Sequence, residues 1–130
     1  MYAPPPHLNL VVLRSPDIHR AAKCYSALGL LFTCHSHGSG PAHYTSEVSG
    51  LVFEIYPLTP KSGSTIGTRI GFVVDSVDEL VPLVVEIGAQ ITTPPCDSEW
   101  GRRAVVKDLD GHSVELLTRK VSSDTSIRSA

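Results

Sequence analysis

Residues 69–91 read RIGFVVDSVDELVPLVVEIGAQI, and residues 10–30 read LVVLRSPDIHRAAKCYSALGL. Together they decide the fold, because they carry one pattern twice. Each lies on a branched, apolar run, HLNLVVLR over residues 7–14 and RIGFVV over residues 69–74, which fits a β-strand. A helix start follows: Ser15-Pro16-Asp17 in the first copy, Asp75-Ser76-Val77-Asp78-Glu79 in the second. Ile18, Ala21, Ala22, Tyr25 and Leu28 then recur at helical spacing, as do Val77, Leu80, Val81, Val84 and Ile87. Gly29 and Gly88 close the two helices. A shift of 59 residues places Val11 on Ile70, Leu13 on Phe72, Ile18 on Val77 and Leu28 on Ile87.

Downstream of each helix the pattern turns to short strands. In the first copy they are expected at residues 30–34, 43–48 and 51–56, with turns at His37-Gly38-Ser39-Gly40-Pro41 and Ser49-Gly50. A polar connector covers residues 58–68. In the second copy a short strand at residues 90–92 ends at the Pro94-Pro95 break, and strands follow at 103–106 and 112–117 around the turn Asp108-Leu109-Asp110-Gly111. The expected fold class is therefore α+β, two tandem βαβββ modules at about residues 7–57 and 68–118. Modules of ~60 residues are marginal alone, so the two are expected to share a buried surface within one domain. The Ser-rich segment 119–130 reads as a flexible tail.

Composition narrows the function. With 42% apolar and 18% charged residues, the chain of 130 residues can bury a core and is not a disordered tail. Eleven Lys+Arg against thirteen Asp+Glu give a net charge of −2, so no nucleic-acid partner is expected. No apolar run reaches the ~20 residues of a membrane span, and Met1-Tyr2-Ala3-Pro4-Pro5-Pro6 has no secretory-signal pattern, so a cytoplasmic protein is expected. Cys24, Cys34 and Cys96 form no CxxC pair, which argues against a disulfide framework or structural zinc. Cys24 falls on the apolar stripe of the first helix.

The two stretches quoted above, with WGRRAVVKDLDGHSVELL at residues 100–117, resemble the vicinal-oxygen-chelate superfamily of glyoxalases, bleomycin-resistance proteins and extradiol dioxygenases. The resemblance covers roughly residues 8–118. It implies a mostly antiparallel, eight-stranded arrangement curled into a cup that holds a small molecule, and a homodimer. It is weak on function, since the fold hosts isomerases, dioxygenases, lyases and proteins that sequester antibiotics without chemistry. Metal-using members place ligands at positions that correspond here to Leu10, Glu54, Arg69 and Glu115. Only the two glutamates can bind a metal. Two carboxylates without an imidazole are a poor set for zinc, nickel or iron, so no cofactor is expected; Mg²⁺ or Mn²⁺, which accept oxygen and water, stays open.

Glu54 interrupts the apolar run 51–56, and Glu115 sits at the symmetric place in the second module. Buried carboxylates need partners. Each can be a structural ion-pair member, the general base of an enzyme, or a metal ligand. Arg69 can bridge carboxylates through its fork of donors, or meet a carboxylate or phosphate on a ligand. Tyr56, His37, His43, Trp100 and Arg102 complete the candidate ligand-binding set. Trp100 can stack on a flat molecule and Arg102 can meet an anion. The expected function is binding of a small organic molecule in the cup without the usual His/Glu metal site. The alternative is a metal-dependent lyase, isomerase or dioxygenase that uses Glu54, Glu115 and a histidine from residues 37–43. His19, His35 and His112 read as structural or solvated side chains.

Overall fold

The structure, a computed structural model, describes residues 3–36 and 38–120. His37 and residues 121–130 therefore lie outside it. The chain divides into two compact units, residues 1–66 and 67–130. The first contains β1 (Leu10–Ser15), α1 (Ile18–Ser26), β2 (Thr33–His35), β3 (His43–Val48) and β4 (Leu51–Pro57). The second contains β5 (Arg69–Val73), α2 (Val77–Ile87), β6 (Gln90–Ser98), β7 (Gly101–Lys107) and β8 (Ser113–Arg119). The eight strands and two helices are the α+β repeat expected from the sequence. They hydrogen-bond as two four-stranded mixed sheets, ordered β1-β4-β3-β2 and β5-β8-β7-β6.

In each unit the first strand pairs parallel with the last, and the other pairs are antiparallel. The parallel pair requires a crossover, and the helix supplies its start. Both helices begin as the sequence indicates. The Asp17 side chain accepts from the Arg20 amide, and the Ser76 hydroxyl accepts from the Glu79 amide. Pro82 lies inside α2, a residue the helical spacing alone passes over.

One helix covers one face of each sheet. In the first unit Leu13, Phe53 and Ile55 are buried with Ile18, Ala21, Ala22 and Tyr25 of α1. Tyr25 and Phe53 meet edge to face, with ring centroids 5.0 Å apart. In the second unit Ala104, Val106, Val114 and Leu116 are buried with Val77, Val81 and Val84 of α2. Because side chains alternate along a strand, the residues between these belong to the opposite face.

Several strand bounds differ from the sequence expectation: β1 begins at Leu10 rather than His7, and β8 runs to Arg119, into the start of the expected tail. β2 occupies Thr33–His35, later than the expected 30–34. β6 does not stop at Pro94-Pro95 but runs from Gln90 to Ser98. It lies at the sheet edge, and its register shifts between Ile91 and Thr93 and again between Thr93 and Cys96. An edge strand with bulges tolerates prolines, because one of its sides needs no ladder hydrogen bonds.

Two substitutions test this packing. Gly101 has φ +140°, and a Cβ there would run into the Thr118 carbonyl oxygen of β8, so Gly101→Ala is expected to lower stability by about 3 kcal/mol in urea unfolding. The Ser46 hydroxyl is buried and has no hydrogen-bond partner among the described residues. Ser46→Ala is therefore expected to leave stability unchanged or raise it by up to ~1 kcal/mol; a clear loss would mean that the hydroxyl is satisfied.

Candidate functional site

The face of the first sheet turned away from α1 carries most of the chemistry of that unit. The register sets Leu10 beside Val52, Val12 beside Glu54, and Arg14 beside Tyr56. On the other side of β4, Thr45 lies beside Glu54. The Thr45 hydroxyl donates to Glu54 Oε2 at 2.8 Å, and His43 Nε2 lies 3.6 Å from the same oxygen. That second contact is an ion pair when His43 is protonated.

His43 is buried and stacks on Tyr56, with centroids 4.2 Å apart and planes 6° from parallel. His35 lies 5.6 Å beyond His43, and the Arg14 guanidinium sits 5.1 Å from the Tyr56 ring centre on the other side. Strands ~4.8 Å apart bring planar side chains on neighbouring strands close to stacking distance. The result is a row, His35–His43–Tyr56–Arg14, that crosses all four strands.

The corresponding face of the second sheet has a different charge balance. Glu115 Oε1 accepts from Arg103 Nε at 2.8 Å and from Arg69 Nη2 at 3.1 Å. Burial pushes the Glu115 carboxyl up, but the hydrogen bonds of Arg103 and Arg69, with their charges, hold it below its ordinary value. A carboxylate held ionised in this way is a weak proton acceptor.

The remaining candidates lie elsewhere. Trp100 is 64% exposed in the β6–β7 turn. Arg102 belongs to the helix side of its sheet: it bonds Asp78 of α2 at 3.1 Å and Asp97 of β6 at 3.2 Å. Those two partners, Asp78 first, hold its guanidinium above its ordinary value. Asp108, Asp110 and His112 converge within 4.8 Å, a spacing compatible with a metal. However, Asp108 Oδ1 accepts from the amides of Asp110, Gly111 and His112, and Asp108 Oδ2 lies 2.8 Å from His112 Nδ1. Both oxygens already hold the β7–β8 turn together.

The sequence missed four participants: His35, read as solvated, lies at the end of the ring row, and Arg103, Thr45 and Arg14 are not singled out. Arg103 looks like one half of a solvated Arg102-Arg103 pair; strand alternation separates the two onto opposite faces, and that was the available signal. Thr45 and Arg14 had no signal short of knowing the register. At the four positions equivalent to family metal ligands, Leu10 offers no donor atom and Arg69 already donates to Glu115. These residues do not fit a transition-metal site.

Residues 7–116 match the model of the Glyoxalase/Bleomycin resistance protein/Dioxygenase superfamily, and the chain belongs to that family. Solved structures share the fold. TioX from Micromonospora sp. ML1 is 23% identical with TM-score 0.67, over 88% of this chain and 100% of that one. TnmS3, an antibiotic binding protein from Streptomyces sp. CB03234, is 20% identical with TM-score 0.68, over 92% and 100%. A glyoxalase/bleomycin resistance protein from Albidiferax ferrireducens T118 is 20% identical with TM-score 0.71, over 87% and 98%. A search of curated protein sequences found no match. No helix among the described residues is long and apolar enough to cross a membrane.

The Glu115 clamp predicts a specific acid response. Its folded-state proton affinity is lower than that of an ordinary glutamate, so the ionised group stabilises the fold above the ordinary value of 4.5. That contribution is lost as the pH falls through the lower folded-state value. Urea unfolding from about pH 6 to about pH 2 should show a stability difference between the unmodified protein and Glu115→Gln that changes across this acid range. A constant difference would contradict the clamp.

Proposed function

We propose that the protein binds a small, flat organic molecule on the face of the first sheet turned away from α1, without a His/Glu metal site. One observation carries this reading: the row His35–His43–Tyr56–Arg14 beside the partly exposed carboxylate of Glu54. In this reading the rings stand upright on the sheet, and His35 and Tyr56 turn their edges toward the ligand. Ring edges are electropositive and suit the π-face of a flat ligand. Glu54 Oε2 is taken by Thr45 and His43, which leaves Oε1 to accept an N–H or O–H from the ligand. His43, buried between Tyr56 and Glu54, acts as a positioning residue for both.

The structural neighbour TnmS3, an antibiotic binding protein, supports a small-molecule ligand. A homodimer in the cytoplasm is the working form this proposal takes. The metal-dependent lyase, isomerase or dioxygenase reading has weaker support. It needs a histidine near both glutamates, and the neighbours of Glu115 are arginines.

Titration of the full chain with 1-naphthol and with quinoline, followed by NMR of the His35 and Tyr56 ring signals, tests the proposal. Saturable shifts at both rings are expected. Tyr56→Leu should weaken binding about tenfold, the scale of one lost aromatic contact. Binding that leaves these rings unmoved, or that ignores Tyr56→Leu, would contradict it.

A further inference from the structure

The sheet of the second unit concentrates positive charge on one face. Strand pairing lays out that face as a grid. Arg69, Ser113 and Lys107 form one row, Gly71, Glu115 and Val105 the next, and Val73, Leu117 and Arg103 the third. Arg119 continues β8 at the end of the same face. Four basic side chains thus share the face with one acidic side chain, in a chain whose net charge is −2. Among the described residues Lys107 and Arg119 make no ion pair.

Like charges gathered on one face repel, so their clustering costs stability unless an anion joins them. Glu115 is already shared by two guanidinium groups through a single oxygen. Arg69 gives Glu115 only Nη2 and its side chain is 53% exposed, so its remaining donors are accessible to a second acceptor. Next to it, Gly71 brings no side chain to the row of Glu115, and the three atoms nearest to a Cβ built there are Cβ, the backbone O and Oε2 of Glu115, each at 3.8 Å. The gap is bordered by Val73, 57% exposed, and by Leu117. A donor fork beside a gap with an apolar border at Val73 and Leu117 matches a carboxylate attached to an apolar ring.

We propose that Arg69 and Arg103 form a carboxylate-binding subsite on this face, with Gly71, Val73 and Leu117 receiving the apolar body of the ligand. The proposal deepens the small-molecule reading above and rests on it for the class of ligand, although it involves different residues. It names an organic monocarboxylate. A phosphate dianion is a poorer fit, because the ionised Glu115 at the centre of the grid repels a doubly charged group more strongly.

The test is NMR of the full ¹⁵N-labelled chain, read at the arginine Nε–H signals, with benzoate, benzyl alcohol, acetate and inorganic phosphate as probes. Benzoate is expected to shift the Arg69 and Arg103 signals saturably and to bind about tenfold tighter than acetate, the scale of burying part of a ring. Benzyl alcohol should leave those signals in place. Arg69→Gln, on an exposed side chain, should retain the folded spectrum and lose at least about tenfold in benzoate affinity.

Equal binding of benzoate, acetate and phosphate would overturn the subsite, since only a diffuse positive field would remain. So would benzoate binding unaffected by Arg69→Gln, or no response of either arginine. The Tyr56 and His35 signals, read with their own probes, keep the two proposals apart. Ring shifts that fail to appear with 1-naphthol and quinoline sink the first-sheet reading alone, and arginine shifts that fail to appear with benzoate sink this one alone.

Discussion

One helix can cover only one face of a four-stranded sheet, and the rest of this structure follows from that constraint. In each unit the covered face must be apolar to offset the entropy of ordering a short chain. The period-two alternation of strands then sends every second residue to the other face. Phe53 and Ile55 go to α1 while Glu54 and Tyr56 go away from it; Val114 and Leu116 go to α2 while Glu115 and Leu117 go away. The parallel pairing of first and last strands adds the second coordinate, because it fixes which residue of β1 or β5 stands beside each of these.

The same constraint explains what the sequence disclosed. The repeat, the helix starts at Asp17 and Ser76, and the alternation in β4 and β8 are local patterns of one element, and each is visible in a string of residues. Glu54 and Glu115 stood out because a charge in an apolar strand breaks the pattern. Their partners did not stand out. Thr45 and Arg103 reach the glutamates across strands, and register is a property of two segments. The extension of β6 through Pro94-Pro95 escaped for a related reason, since tolerance of proline depends on lying at a sheet edge. The burial of His112 against Asp108 also depends on a turn whose amides converge on one carboxylate.

The two units differ around equivalent positions. Glu54 is held by a hydroxyl and an imidazole, beside stacked rings. Glu115 is held by two guanidinium groups, beside a glycine gap. A carboxylate balanced by fixed arginines is neutralised by the chain itself, and its second-sheet face carries excess positive charge. The two proposals thus assign flat, hydrogen-bonding groups to one face and an anion to the other.

The central claim is that guanidinium groups, not a metal, balance the carboxylate at the family's ligand positions. Elemental analysis of the purified, untagged protein, before and after incubation with Zn²⁺, Ni²⁺, Fe²⁺ and Mn²⁺, tests it most directly. The account predicts no near-stoichiometric metal under any of these conditions. Near-stoichiometric metal that disappears in Glu115→Gln would contradict it.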